Sequence, residues 1–189
     1  LRASFDFRKY MPVNKKSTVV FRSNTGIARP YGVSVNDTLF ILPYEKYFFA
    51  GGSNSNRGWL PRRLGPGSYK DFNNSYKYEQ PAEILIEFNL EYRIKAAKYL
   101  EPALFCDIGN VWTWRPDPNR PGSQFKGFKS ITELGVSGGI GARLNFTFLI
   151  LRFDFATPIW DPGEKGSARF ALPDRWKHPL LNIGIGYPF

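Results

Sequence analysis

The sequence predicts an all-β fold, seven strands of an up-and-down antiparallel transmembrane β-barrel with one long connection after the second strand. Three observations predict it. Aromatic residues make up 17% of the 189 residues and stand beside 18 Gly and 15 Pro, a composition of short strands and turns more than of helices. Apolar and polar side chains alternate with period two through successive segments. Short turns then alternate with long loops, as in a barrel with tight turns on one rim and large loops on the other.

Bulk properties set the outer limits. The length suits one domain, and nothing in the composition marks a second. Mean hydropathy is −0.34, and no run approaches the roughly 20 apolar residues of a membrane helix, which excludes helical spanning but not spanning by strands. The net charge of +10 comes from 26 Lys and Arg scattered along the chain, not gathered into a run, so no nucleic-acid partner is expected. A lone cysteine, Cys106, allows no internal disulfide and no Cys-based metal site. The lone histidine, His178, leaves no basis for a His-dependent metal centre or triad and reads as a turn or surface residue. Because the sequence begins at Leu1 already in a strand pattern, without Met or signal peptide, a fragment or processed piece is expected.

From Leu1 to Phe7 the odd positions are apolar and the even positions polar, which makes the first strand. A turn at Pro12–Lys16 leads to a second, Ser17–Ala28, with Val19, Phe21 and Ile27 opposite Arg22, Asn24 and Gly26. Tyr31–Gln80 is then a connection of about 50 residues, a length that marks loops as functional or disordered; its aromatic and glycine content argues against disorder. The clearest strand is Ala82–Ile94, apolar at Ile84, Ile86, Phe88, Leu90, Tyr92 and Ile94 and polar between. Alone, it fits a soluble sandwich as well as a barrel.

A turn at Lys95–Lys98 precedes Tyr99–Trp112, where alternation is poor and Cys106 falls in the apolar set. Past the loop Arg115–Lys129, the strand Ile131–Phe146 carries glycines 135, 139 and 141 on its polar face, and such glycines predict a bulky group or close backbone against it. Thr147–Ala156 follows, opposing Leu149, Leu151, Phe153 and Phe155 to Arg152 and Asp154. After a polar loop, Trp160–Lys177, the last strand is Leu180–Phe189, with Phe189 inside it and no tail to cover that edge. Seven strands are odd in number and too few, so closure needs strands beyond this sequence.

Within the long connection, Phe48 to Trp59 begins with two aromatics, continues through Gly51-Gly52 and ends in Arg57-Gly58-Trp59. Glycines admit backbone where a side chain would not fit, and an arginine set between Gly and Trp suggests a guanidinium aimed at a definite partner. Other constellations fail as chemistry. Glu83, Glu87 and Glu91 share a strand face but stand about 13 Å apart, too far for an acid/base pair. Gly139-x-Gly141 lacks the third glycine and following helix of a dinucleotide site. Asn36, Asn73 and Asn145 head glycosylation patterns, which are chance matches if the protein is bacterial. Phe5, Phe7, Phe153 and Phe155 read as lipid-facing, and Trp112, Trp114, Trp160 and Trp176 as an interfacial aromatic belt.

Phe49-Ala50-Gly51-Gly52 through Arg57-Gly58-Trp59 resembles the loop signature of the BamA/TamA superfamily of outer-membrane assembly factors. Asn89-Leu90-Glu91-Tyr92 and Phe105-Cys106-Asp107-Ile108-Gly109-Asn110-Val111-Trp112 are similar to its next strands, followed by Gly139–Arg143, Leu151–Pro158 and the closing Asn182–Gly186 with Phe189. The order is the family's over nearly the whole chain, with Trp59 where Phe or Tyr is more usual and Asn56 where an aliphatic is.

The resemblance implies that residues 1–189 are the C-terminal part of a barrel of sixteen strands, with its N-terminal strands and periplasmic repeat domains outside this sequence. It implies that Arg57, with Gly51, Gly52, Gly58 and Trp59, latches the loop in the lumen against Glu91 and Asp107. Asn182, Gly184, Gly186 and Phe189 would form a lateral seam on the closing strand. The implied function is non-enzymatic insertion of β-barrel proteins into the outer membrane of a Gram-negative bacterium, without catalytic residues, metal or cofactor. Implied partners are unfolded outer-membrane proteins, outer-membrane lipids, and accessory lipoproteins or a periplasmic partner. A polypeptide-exporting pore of the same superfamily, a passive porin and an enzyme-anchoring barrel are the alternatives. Gly65–Tyr69 leans toward a TamA-like surface antigen.

Overall fold

The computed structural model describes residues 1–30, 42–70, 78–146 and 148–189. Among these described residues, seven strands form one antiparallel sheet in sequence order: β1 (Arg2–Asn14), β2 (Ser17–Ala28), β3 (Ile84–Ile94), β4 (Leu100–Trp112), β5 (Gly135–Phe146), β6 (Leu149–Trp160) and β7 (Leu180–Ile185). Every strand pairs with its neighbours in the chain. One rim carries the short β1–β2, β3–β4 and β5–β6 turns; the other carries the long connections. A single-turn helix, α1 (Leu172–Arg175), lies in the β6–β7 loop.

Alternation sorts the two faces. In β3, Phe88, Leu90 and Ile94 are exposed on the outer face, whereas Glu87, Asn89, Glu91 and Arg93 are buried under the long loop on the inner one. β4 keeps the same arrangement despite its weak pattern, with Leu100 and Leu104 outward and Glu101, Phe105 and Asp107 inward. Phe5, Phe7 and Phe155 are exposed on the outer face, as a lipid-facing band requires. The main apolar cluster lies where the long loop meets the strand ends and includes Ala28, Phe48, Trp59, Leu64, Leu85 and Val111.

Several boundaries differ from the sequence expectation. β1 runs on to Asn14 because its pairing with β2 carries through Tyr10 and Met11 even where alternation lapses; Pro12 sits beside a register shift that accommodates its missing N–H. β6 continues past Ala156 to Trp160, with Pro158 at a second shift. Ile131–Leu134 is not strand: Gly127, at φ +64°, turns the chain into a 3-10 helix over Gly127–Glu133.

β7 stops at Ile185. Gly186 adopts φ +82° and Pro188 has no N–H to continue a ladder, so Tyr187–Phe189 leave the strand and Phe189 is buried at 4% exposure. Phe189 therefore does not lie in a strand on the outer face. Trp112 is also no belt residue; it is 1% exposed, and its indole N–H donates to Glu133 Oε2 at 2.8 Å. Trp114 and Trp176 are exposed, as is His178 in a bend. The glycosylation patterns at Asn36 and Asn73, and Thr147 of the third, lie outside the described residues.

Candidate functional site

The segment 51–59 is a compact double turn. Gly51 and Gly52 have φ of +99° and +103°, left-handed values that exact little from glycine alone. The Gly52 N–H donates to the carbonyls of Asn56 (3.1 Å) and Trp59 (3.0 Å), and the Ser55 N–H returns to the Gly52 carbonyl at 3.0 Å. Gly58 lies so close to β5 that a Cβ would strike the Ser137 side chain, while its N–H donates to Ser137 Oγ at 3.2 Å. The glycines of β5 accept what lies above them. A Cβ at Gly135 would come within 2.9 Å of Leu64 and 3.1 Å of Trp59, and one at Gly139 would meet the Phe105 ring.

This turn delivers Arg57 to the inner face, fully buried. Its Nε and Nη2 donate to the two carboxylate oxygens of Asp107 at 2.8 and 2.9 Å, and its own backbone N–H reaches the same group at 3.1 Å. Nη1 donates to Glu91 at 2.7 Å and, more distantly, to Asp154 at 3.4 Å. The Phe105 ring closes the underside, its centroid 3.5 Å from Arg57 Cζ. The planar fork suits this setting, because two parallel charge-assisted bonds fix both position and orientation.

The structure thus brings Arg57, Glu91 and Asp107 together in one buried cluster, and it adds residues that sequence reasoning missed. Arg143 contacts Glu91 at 2.9 Å and also pairs with Asp154. Arg93 donates to Glu91 at 2.7 Å, Arg152 approaches Asp154 at 3.3 Å, and Asn89 donates to Asp107 at 2.9 Å. Among the described residues, four guanidiniums, of Arg57, Arg93, Arg143 and Arg152, therefore face three carboxylates, of Glu91, Asp107 and Asp154. The available signal was charge at inward positions of β5 and β6, opposite the glycines.

The rest of the turn is fastened as closely. Asn56 donates to the Gly135 carbonyl at 3.0 Å and accepts from the Ser137 hydroxyl at 2.5 Å, contacts that an aliphatic side chain there would lack. Ser55 donates to Glu87, and the Ser53 carbonyl and Asn54 side chain take Arg152 at 3.1 and 2.9 Å. On β7, Asn182 donates to the Arg57 carbonyl at 3.0 Å, and Gly184 leaves room for Arg152, whose Nη2 would lie 2.7 Å from a Cβ. The Phe189 ring stands 5.7 Å from the Arg57 guanidinium and 5.9 Å from that of Arg93.

A family model of the Omp85 superfamily domain matches residues 1–173. The chain belongs to the Omp85 superfamily. The outer membrane protein assembly factor BamA of Neisseria meningitidis serogroup B is 27% identical over 106 residues, 54% of this chain and 13% of that protein. Among solved structures, BamA from Haemophilus ducreyi lacking POTRA domains 1-3 superposes with a TM-score of 0.64 at 18% identity, over 97% of this chain and 34% of that one. At that identity the likeness is one of fold. This Omp85 chain thus spans about a third of the solved relative and a smaller part of the curated one. It is an integral outer-membrane β-barrel protein whose apolar outer face meets lipid and whose charged inner face holds the loop.

Proposed function

We propose that this Omp85 chain forms the closing part of a barrel that folds and inserts other β-barrel proteins, receiving the incoming strand at β7. The observation that carries this reading is the pairing of β7. It is joined to β6 by six residue pairs, Leu151–Ala156 with Leu180–Ile185, where each of the other strand pairs has ten or more. Gly184 removes side-chain packing from this short strand, and Gly186 turns the chain away. A weakly held edge offers unpaired N–H and C=O groups, a template for β-augmentation by an extended segment.

In this reading the loop carrying Arg57 is a structural latch, and no covalent bond is made or broken. Unfolded outer-membrane proteins are the substrates, and accessory lipoproteins or a periplasmic partner cooperate with the surrounding lipid. A passive porin is the poorer reading because the loop occupies the inner face. The test uses the intact protein on a Cys106→Ser background, with one cysteine at Ile183 and another on the strand facing β7 in the closed barrel. Oxidation is expected to stop assembly of a client barrel and reduction to restore it; full assembly in the oxidised form refutes the seam.

A further inference from the structure

The β4–β5 loop folds back over the outer face of the sheet. Trp112 belongs by position to the outward set of β4, yet it is covered: Phe125 packs edge-on against it at 5.6 Å, and its indole N–H is held by Glu133. The 3-10 helix Gly127–Glu133 then stands off the sheet and leaves a groove of about 490 Å³ beside β3. Ile86, Phe88, Trp112, Phe125, Phe128 and Ile131 wall this groove, and its surface is almost wholly apolar. Phe128 is 91% exposed and Ile131 59%.

In water such a patch would be a liability. Here it continues the lipid-facing surface formed by Phe88, Leu90 and Leu104. β3 and β4 are flanked by β2 and β5 in the same sheet, so additional strands completing the barrel do not reach this position. Lys126 and Lys129 are exposed on either side of Phe128, on the long-loop rim, which faces outward in barrels of this class. An apolar slot on the lipid-facing surface, in a loop segment that also carries two exposed cations, matches a lipid with a negative headgroup. We propose that the groove holds one acyl chain of an anionic, phosphate-bearing lipid, with Phe128 and Ile131 seated in the outer leaflet and Lys126 and Lys129 on the headgroup.

The test reconstitutes the intact protein in nanodiscs containing phosphatidylglycerol with a diazirine on its acyl chain, and in parallel the matching phosphatidylcholine. After photolysis, adducts are mapped by mass spectrometry. Adducts are expected to concentrate on Ile86, Phe88 and the Phe125–Leu134 segment, several-fold above Leu104 and Leu181, which face the same lipid without a groove. The anionic probe is expected to label the groove about tenfold more than the zwitterionic one, and Lys126→Gln with Lys129→Gln to remove that preference. Ile86→Trp, which fills the slot, is expected to abolish the excess and leave labelling at Leu181. Groove labelling no higher than at Leu104 and Leu181, or equal labelling by the two probes, overturns the proposal. That comparison needs only the unsubstituted protein, so it stands even if a variant fails to fold.

Discussion

Asp107→Asn tests the latch most directly. Asp107 accepts from Arg57 Nε, Nη2 and backbone N–H and from Asn89, so both of its oxygens are engaged. An asparagine keeps the shape but loses the charge and turns an N–H₂ toward a donor. Four guanidiniums would then face only Glu91 and Asp154. Removing one partner of a buried ion pair costs about 3–5 kcal/mol, because the other charge stays buried without compensation. At about 1.4 kcal/mol per decade, the loop-open population should rise roughly 10²- to 4 × 10³-fold. Trp59 reports it: the side chain is 7% exposed when the loop is docked, so chymotrypsin cleavage after Trp59 in the intact barrel follows opening when reclosing outpaces cleavage. Arg57→Met with Asp107→Leu, which removes both charges, should recover much of the loss. Unchanged cleavage in Asp107→Asn, or a double variant as labile as the single, would refute the reasoning.

Gly52→Ala should loosen the same loop by about 1–3 kcal/mol, since alanine must adopt the φ of +103°; cleavage at Trp59 is again the measure. At Gly186 the φ is +82° with open space around a Cβ, so Gly186→Ala is expected to add strain of about 1 kcal/mol and favour a straightened tail. Faster maleimide labelling of a Phe189→Cys reporter in that background checks it. In the β4–β5 loop, the hydrogen bond from Arg120 to Asp117 at 2.7 Å holds the Asp117 carboxyl below the usual carboxylate range. Its contribution is present at neutral pH and lost as pH falls through that lowered value. The pair is partly exposed, so local hydrogen exchange around Asn119 should rise with at most about 1 kcal/mol of lost protection.

β2 and β3 were legible because their side chains follow the pleat. The second half of β1 was not, since Tyr10-Met11-Pro12 breaks alternation and the register of β2 decides the pairing. The end of β7 misled in the opposite way: Ile185, Tyr187 and Phe189 continue the apolar period, but the period carries no information about the φ of Gly186. Trp112 looked interfacial because an outward aromatic at a strand end reads that way, and only the returning loop buries it. Within the site, Arg57, Glu91 and Asp107 came from the motif. Arg143 and Asp154 did not, because inward charge is ordinary in a barrel and only geometry selects the groups that reach the same guanidinium.

The distribution of contacts separates the latch from the edge strand. Arg57 binds charges on β3, β4 and β6 through Glu91, Asp107 and Asp154, so undocking the loop means breaking ion pairs on three strands. Toward β7 it offers its backbone carbonyl, which accepts one neutral hydrogen bond from Asn182 at 3.0 Å, and just past the end of β7 the Phe189 ring stands 5.7 Å from its guanidinium. A neutral hydrogen bond contributes about 1 kcal/mol, well below the buried pairs. Under the proposed function β7 is expected to peel from β6 while the loop stays docked, and Asn182→Ala should discriminate. It is expected to raise hydrogen exchange in Leu180–Ile185 and leave cleavage at Trp59 unchanged. Coupled loss of both protections would mean that latch and edge open as one unit, and β7 could not then act as an independent seam.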